Sequence, residues 1–168
     1  MKKFKAFLIL ITTPVITKSW MTNALYAIPR IVAGLILALD FGASKFGMPW
    51  SGSDSELSLF EVASWFPEDV AKFGFPFSLS PVLFAWLGAA SEAIGGIFLA
   101  FGLGTRFWAF LIGMTMITAI FFEKWPDVIE QGTWPILPAL GFLWVSVYCI
   151  IFGSGKLGID YLIARKYK

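Results

Sequence analysis

Histidine is absent from this 168-residue sequence, cysteine occurs once, and charged residues make up only 14% of the chain. Without histidine the chain has no His-ligated haem or zinc site, no Ser-His-Asp triad and no imidazole proton relay. The single Cys149 excludes an intramolecular disulfide. As a lone thiol in an apolar helix it is expected to be inert.

Apolar residues fill the place of the missing charges. The chain is 58% hydrophobic and 18% aromatic, with a mean hydropathy of +0.77. A soluble domain carries about 25% charged residues, so this chain has too few to cover a water-facing surface. The composition predicts an integral membrane protein of one domain, in contact with the lipid bilayer and not with nucleic acid.

Four apolar runs are long enough to cross a bilayer, which takes about 20 residues. They are continuously apolar and do not alternate with period two, so helices are favoured over a barrel. We therefore predict an all-α four-helix transmembrane bundle. The predicted spans are residues 26–46, 81–103, 107–122 and 134–152. The predicted organisation is a basic N-terminal segment, 1–25, a four-helix domain, 26–163, with an outer loop, 47–80, and a basic tail, 164–168.

The N-terminal segment has two interpretations. Lys2, Lys3 and Lys5 precede a short apolar run, residues 6–11, as at the start of a signal peptide. No clear small-x-small cleavage site follows this run. We therefore favour an interfacial segment that lies on the cytoplasmic membrane surface.

The basic residues are unevenly distributed between the two sides of the predicted bundle. The positive-inside rule places the richer side, with both chain termini, in the cytoplasm. Four crossings agree with this parity, and most acidic residues fall in the outer loops. The inner side holds Lys2, Lys3, Lys5, Lys18, Arg30, Arg106, Lys156, Arg165, Lys166 and Lys168, and the outer side holds Lys45, Lys72 and Lys124.

The outer loop is long for a connection in a small bundle. Within it Leu59, Val62 and Trp65 recur at helical spacing, and Pro67 is expected to end or kink that pattern. The spacing predicts a short helix on the outer surface or over the mouth of the bundle. The alternative is an ordinary connector anchored by interfacial aromatic residues.

Charged residues inside the spans are the candidates for a functional site. Asp40 and Glu92 lie within the first two spans, and such carboxylates normally face the bundle interior and have a partner. By the helical rise, Glu92 lies about 16 Å and Asp40 about 9 Å from the outer end of their spans. Because the first two spans run in opposite directions, Arg30 and Glu92 are expected at similar depths in the membrane. Two interpretations remain open: a structural Arg30–Glu92 ion pair, or a polar pocket that Asp40 opens to the outside.

Four short motifs occur in a characteristic order over residues 26–162, and in that order and spacing the chain resembles the DoxX family of small four-helix bacterial membrane proteins. The motifs are R-x-x-x-G (Arg30, Gly34), G-x-x-K (Gly42, Lys45), E-x-x-G-G-I-F-L-A-F-G-L-G-T-R (Glu92 to Arg106) and G-x-G-x-x-x-x-D (Gly153, Gly155, Asp160). From the residues alone, Asp160 is expected to be a helix cap or the partner of Lys156.

The resemblance implies a multi-pass protein of the bacterial cytoplasmic membrane that is associated with oxidoreductase chemistry. Members are linked to thiosulfate:quinone oxidation and to complexes of a membrane subunit with thiol or oxidative-stress enzymes. Quinone is thus the implied cofactor, and a soluble or peripheral oxidoreductase the implied partner. The family often has histidine just before the glycine of G-x-x-K, where this chain has Phe41 after Asp40.

The leading hypothesis is a membrane subunit of a redox system that holds a quinone or small anion in a buried polar pocket and binds no metal or haem of its own. The alternatives are a small-solute transporter or channel, for which four spans suggest a homo-oligomer, and a non-catalytic scaffold subunit. No catalytic residue is assigned. The pocket candidates are Arg30, Asp40, Lys45, Glu92 and Arg106.

Overall fold

A computed structural model of the chain describes residues 13–51 and 57–167. Lys2, Lys3 and Lys5 of the predicted interfacial segment lie outside these residues. Four helical stretches are long and apolar enough to cross a membrane, and we number them spans 1 to 4: Trp20–Phe41, Pro81–Phe101, Thr105–Gln131 and Trp134–Phe152. No strand occurs in the described part of the chain. The predicted all-α fold with four spans is confirmed.

The spans consist of α-helices together with short π-helical and 3₁₀ turns. Span 1 closes with a π-helical turn, Leu37–Phe41, and span 3 contains another, Ala119–Lys124. Short 3₁₀ turns, Phe77–Leu79 and Trp134–Ile136, precede the helices of spans 2 and 4. The α-helices are α1 Trp20–Ile36, α2 Trp65–Lys72, α3 Pro81–Phe101, α4 Thr105–Thr118, α5 Trp125–Gln131, α6 Leu137–Phe152 and α7 Ile159–Tyr167.

Spans 1 and 3 differ from their predicted bounds. Span 1 begins at Trp20 because the Ser19 hydroxyl accepts a hydrogen bond from the Thr22 amide at 3.4 Å and caps the helix. Residues 20–25, predicted to be interfacial, are therefore helical. Span 3 continues to Gln131, beyond the predicted residue 122, because its last turns carry charged residues that end the hydropathy signal without ending the helix.

Spans 1 and 2 are antiparallel and in direct backbone contact. A Cβ atom on Gly34 would lie 2.5 Å from the Gly96 carbonyl oxygen, and one on Gly42 would lie 2.5 Å from the Ala93 amide nitrogen. Ala38, between the two glycines, is fully buried against Gly96. Small residues on both helices allow this close packing.

The helix of span 1 ends halfway through the bundle. Its last residue, Phe41, stacks edge-on against Phe142 with ring centroids 5.4 Å apart, in the middle of span 4. The chain then continues without regular structure beside span 2. Backbone bonds within the protein hold this segment, as membrane depth requires: Gly47 N donates to Glu61 O at 2.8 Å, and Ala63 N donates to Lys45 O at 2.9 Å.

The predicted helix of the outer loop is present as α2, but its bounds differ from the prediction. Pro67 lies in its first turn, so it begins the helix instead of ending it. Proline is favoured there because first-turn amides have no intrahelical acceptor. Val62, expected on the helix, forms an isolated antiparallel bridge with Phe46. Helix α2 lies over spans 2 and 3, and Phe66 and Val70 face them.

Gly34→Ala is expected to destabilise the bundle by about 1–3 kcal/mol, since the added methyl group would meet backbone atoms of span 2 that cannot move aside. Gly113→Ala in span 3 is the matched control, because the nearest atom to a Cβ there is Ser146 Cβ at an ordinary contact distance of 3.5 Å, and alanine is the better helix former. Thermal unfolding in detergent micelles measures both. Equal unfolding temperatures for the two variants would contradict the packing described here.

Candidate functional site

A buried ion pair joins the middle of span 2 to the segment that follows span 1. Lys45 Nζ is 2.8 Å from Glu92 Oε2, and Glu92 is only 3% exposed. Glu92 projects from the middle of span 2, whereas Lys45 comes from the irregular segment that follows span 1. The Lys45 ammonium also lies 5.2 Å from the centroid of the Phe66 ring of α2. The pair thus joins span 1, span 2 and the outer loop.

A cavity of about 350 Å³ lies against this ion pair, between α2, span 2 and span 3. Most of its wall is aromatic or aliphatic. The polar groups are the ion pair, two threonine hydroxyls and one further carboxylate. The lining residues are Lys45, Phe66, Val70, Phe73, Pro76, Phe77, Phe84, Leu87, Gly88, Glu92, Leu111, Met114, Thr115, Thr118, Ala119 and Glu123.

One side of the cavity reaches the lipid-facing surface. Leu87 of span 2 and Met114 of span 3 both line it, and they are 45% and 49% exposed. Deeper in the cavity, the Thr115 hydroxyl is 2.8 Å from the Ser91 hydroxyl, which links the two spans. The cavity therefore offers an amphipathic molecule an apolar approach from the bilayer and a charged end.

Arg30 is fully buried but does not contact this cavity. Its guanidinium donates to the carbonyls of Leu99, of Ala100 at 2.7 Å and of Leu157 at 3.0 Å. These include carbonyls of the last turn of span 2, where a cation is favoured by the helix dipole. Arg30 therefore does not pair with Glu92 as expected. The carbonyls of span 2 that it binds lie about 11 Å beyond Glu92, by the helical rise.

Arg106 and Asp160 satisfy two other helix ends. Arg106 Nε donates to the Ile150 carbonyl at 3.0 Å, in the last turn of span 4. The Asp160 carboxylate, 1% exposed, accepts from the amides of Gly104 at 2.8 Å and Thr105 at 2.9 Å, and from the Thr105 hydroxyl at 2.8 Å. Of the two roles expected for Asp160, the structure has the cap, and the capped helix is span 3.

Asp40 stands apart from the other candidates. Its side chain is exposed on span 1, and among the described residues its carboxylate has no hydrogen-bond or ion-pair partner. The five candidate residues therefore divide into three groups: Lys45 and Glu92 at the cavity, Arg30 and Arg106 at helix ends, and Asp40 on an outward face.

The sequence does not single out several residues of the cavity. Glu123 follows the end of the predicted third span, and Thr115 is one hydroxyl within an apolar run. Neither has a local motif. The signal in the sequence is a four-residue spacing, which puts these side chains on one helical face with their neighbours in the cavity. The residues at this spacing are Leu111, Thr115, Ala119 and Glu123.

A family model described as DoxX matches residues 25–125, more than half of the chain. Comparisons with curated proteins and with solved structures give no match. The chain belongs to the DoxX family, and its four apolar helices make it a multi-pass membrane protein.

Asp160→Ala is expected to lower the thermal unfolding temperature markedly, because it leaves the buried Thr105 amide without an acceptor, at about 1–3 kcal/mol, and also removes the acceptor of the half-buried Gly104 amide. Asp160→Asn, which retains one acceptor oxygen, should fall between this variant and the unchanged protein. Asp127→Ala serves as the control, since Asp127 is exposed. Unfolding temperatures for Asp160→Ala and Asp127→Ala that agree would show that the cap contributes little.

Proposed function

We propose that this DoxX protein is the quinone-binding membrane subunit of an oxidoreductase system, and that the cavity at Lys45 and Glu92 holds the quinone ring. One observation carries the proposal: a cavity of about 350 Å³ begins at the lipid-exposed Leu87 and Met114 and ends at a buried ion pair. Quinones are apolar rings that travel in the hydrocarbon and carry polar oxygens.

The ion pair suits both redox forms of such a ring. A quinone carbonyl is an acceptor for the Lys45 ammonium, and a quinol hydroxyl is a donor to the Glu92 carboxylate. Charge-assisted hydrogen bonds of this kind are stronger than neutral ones. The rings of Phe66, Phe77 and Phe84 line the same cavity, and aromatic faces favour a flat ligand.

The electrons come from a partner in this proposal. Cys149 is the one cysteine of the chain, so the chain has no dithiol couple of its own. A soluble or peripheral oxidoreductase, acting on thiol or sulfur compounds as the family resemblance implies, would reduce the bound quinone. We place the protein in a bacterial inner membrane with both termini on the cytoplasmic side, in keeping with the excess of basic residues predicted for that side.

Binding is favoured over conduction by the packing beyond the ion pair. Towards the chain termini, the backbones of spans 1 and 2 touch at Gly34 and Gly96, and the buried Arg30 guanidinium fills the space at the end of span 2. A solute path through the bundle would have to separate these contacts. Solute flux into liposomes that contain the purified protein alone would support a transporter instead.

The double variant Lys45→Met/Glu92→Gln tests the proposal without leaving a buried charge unpaired. A short-tailed quinone titrated into the protein in lipid nanodiscs should bind the variant about ten to a hundred times more weakly, because a hydrogen bond to a charged group is worth about 1.5–3 kcal/mol. Isothermal calorimetry gives the affinity, and thermal unfolding confirms that the variant is folded.

The matched control breaks an ion pair of the same kind at the surface. Lys72 and Asp69 of α2 are 2.6 Å apart and exposed, so Lys72→Gln/Asp69→Asn should leave quinone affinity unchanged. Equal affinity of the folded cavity variant and the unchanged protein would overturn the proposed site. Failure of the unchanged protein to bind quinone would overturn the proposed function.

A further inference from the structure

Span 1 carries a carboxylate on its lipid-facing side. The outward face of this helix is an apolar stripe in which Leu25, Ile28, Val32 and Leu39 are 60%, 55%, 50% and 53% exposed. Asp40 interrupts this stripe, exposed and unpartnered among the residues that the structure describes. A stripe of this composition is suited to lipid everywhere except at Asp40.

The depth of Asp40 follows from its neighbours. Phe41 packs against Phe142 and Gly42 against Ala93, and both partners lie near the middle of their spans. By the helical rise, Ala93 is about 18 Å from the start of span 2 and about 12 Å from its end. Asp40 therefore lies well inside a hydrocarbon layer of about 30 Å, deeper than the sequence-based depth indicated. Carboxylates at such a depth normally have a protein partner.

We propose that the outward face of span 1 is covered by the same face of a second copy of this chain, with the two Asp40 carboxyl groups meeting at the dimer axis. A two-fold axis along the membrane normal brings identical residues together at identical depth. Two carboxyl groups at that position share one proton, so that one donates a hydrogen bond to the other. Each copy thereby supplies the polar partner that lipid lacks.

The shape of the surface agrees with a self-complementary interface. Beside the stripe runs a groove of about 370 Å³ between spans 1 and 4, lined by Ala33 and Ile36 on one wall and Gly141 on the other. Leu35 and Leu39, four residues apart on span 1, are 38% and 53% exposed, and residues at this spacing form a ridge on a helix surface. In a two-fold dimer the ridge of one copy enters the groove of the other, and the small residues at Ala33 and Gly141 leave room for it.

This interface is independent of the quinone site. The cavity at Lys45 and Glu92 lies between spans 2 and 3 under α2, whereas the Asp40 face belongs to the opposite side of span 1. The dimer can therefore be tested without any redox assay. The quinone affinity of Lys45→Met/Glu92→Gln tests the cavity and does not test the dimer.

Disulfide cross-linking in liposomes at low protein density tests the dimer. In a Cys149→Ala background, single cysteines are introduced by Leu35→Cys, Ile36→Cys or Leu39→Cys on the proposed face. Trp144→Cys is the control, since Trp144 is 76% exposed near the middle of span 4. We expect at least one position on span 1 to cross-link most of the protein, and Trp144→Cys to remain at the background level.

The role of Asp40 is tested in the position that cross-links best. Asp40→Leu should reduce cross-linking about tenfold, whereas Asp40→Asn, whose amide hydrogen-bonds across the axis, should retain most of it. Subunit counting by single-molecule photobleaching should give two steps for the unchanged protein and one for Asp40→Leu. Thermal unfolding checks that Asp40→Leu is folded, as expected for an exposed position.

Two results would overturn the proposal. The first is equal cross-linking at all positions, which indicates random collision. The second is a single photobleaching step combined with labelling of Asp40 by dicyclohexylcarbodiimide in the purified protein and protection from it in native membranes. That pattern would assign the face to a different membrane protein.

Discussion

Backbone groups at helix ends need partners, and in a membrane the protein itself has to supply them. The structure meets this constraint around the loop between spans 2 and 3. Arg30 donates to carbonyls at the end of span 2, and Asp160 accepts from amides at the start of span 3. Gly102 connects these two ends at a φ of +69°, and a Cβ there would lie 2.7 Å from the Arg30 guanidinium. The connection is therefore compact enough for one arginine and one aspartate to serve both helices.

This arrangement accounts for most of the charged residues in the family-like motifs. The sign of each charge matches the helix end that it meets: arginine at the carbonyl ends of spans 2 and 4, aspartate at the amide end of span 3. These residues hold the bundle together without touching the cavity. Lys45 and Glu92 remain as the buried charges that face open space, which is why the proposed binding site rests on them and not on the arginines.

Hydropathy alone predicts the spans well because a helix in lipid needs continuous apolar sequence. Spans 2 and 4 begin where the sequence indicates, at Pro81 and Trp134. The partner of Glu92 was not predictable in this way. Lys45 lies at mid-depth in the irregular segment that follows the helix of span 1, and contacts such as the Phe46–Val62 bridge stabilise that segment. Those contacts are distant in sequence, so neither periodicity nor helical rise reveals them.

Asp40 and Glu92 show what a charge inside a span does and does not predict. Both are carboxylates at similar depth, yet Glu92 is buried with a partner and Asp40 is exposed. The difference lies in helical phase. Ala38 and Gly42 both face span 2, and Asp40, two positions from each in the π-helical turn, lies on the opposite side of the helix. Gly34, Ala38 and Gly42 form a stripe of small residues at four-residue spacing in the sequence. Once this stripe is assigned to the contact with span 2, the Asp40 carboxylate has to point out of the bundle. The helical face on which an intramembrane charge lies therefore predicts its surroundings better than its depth alone.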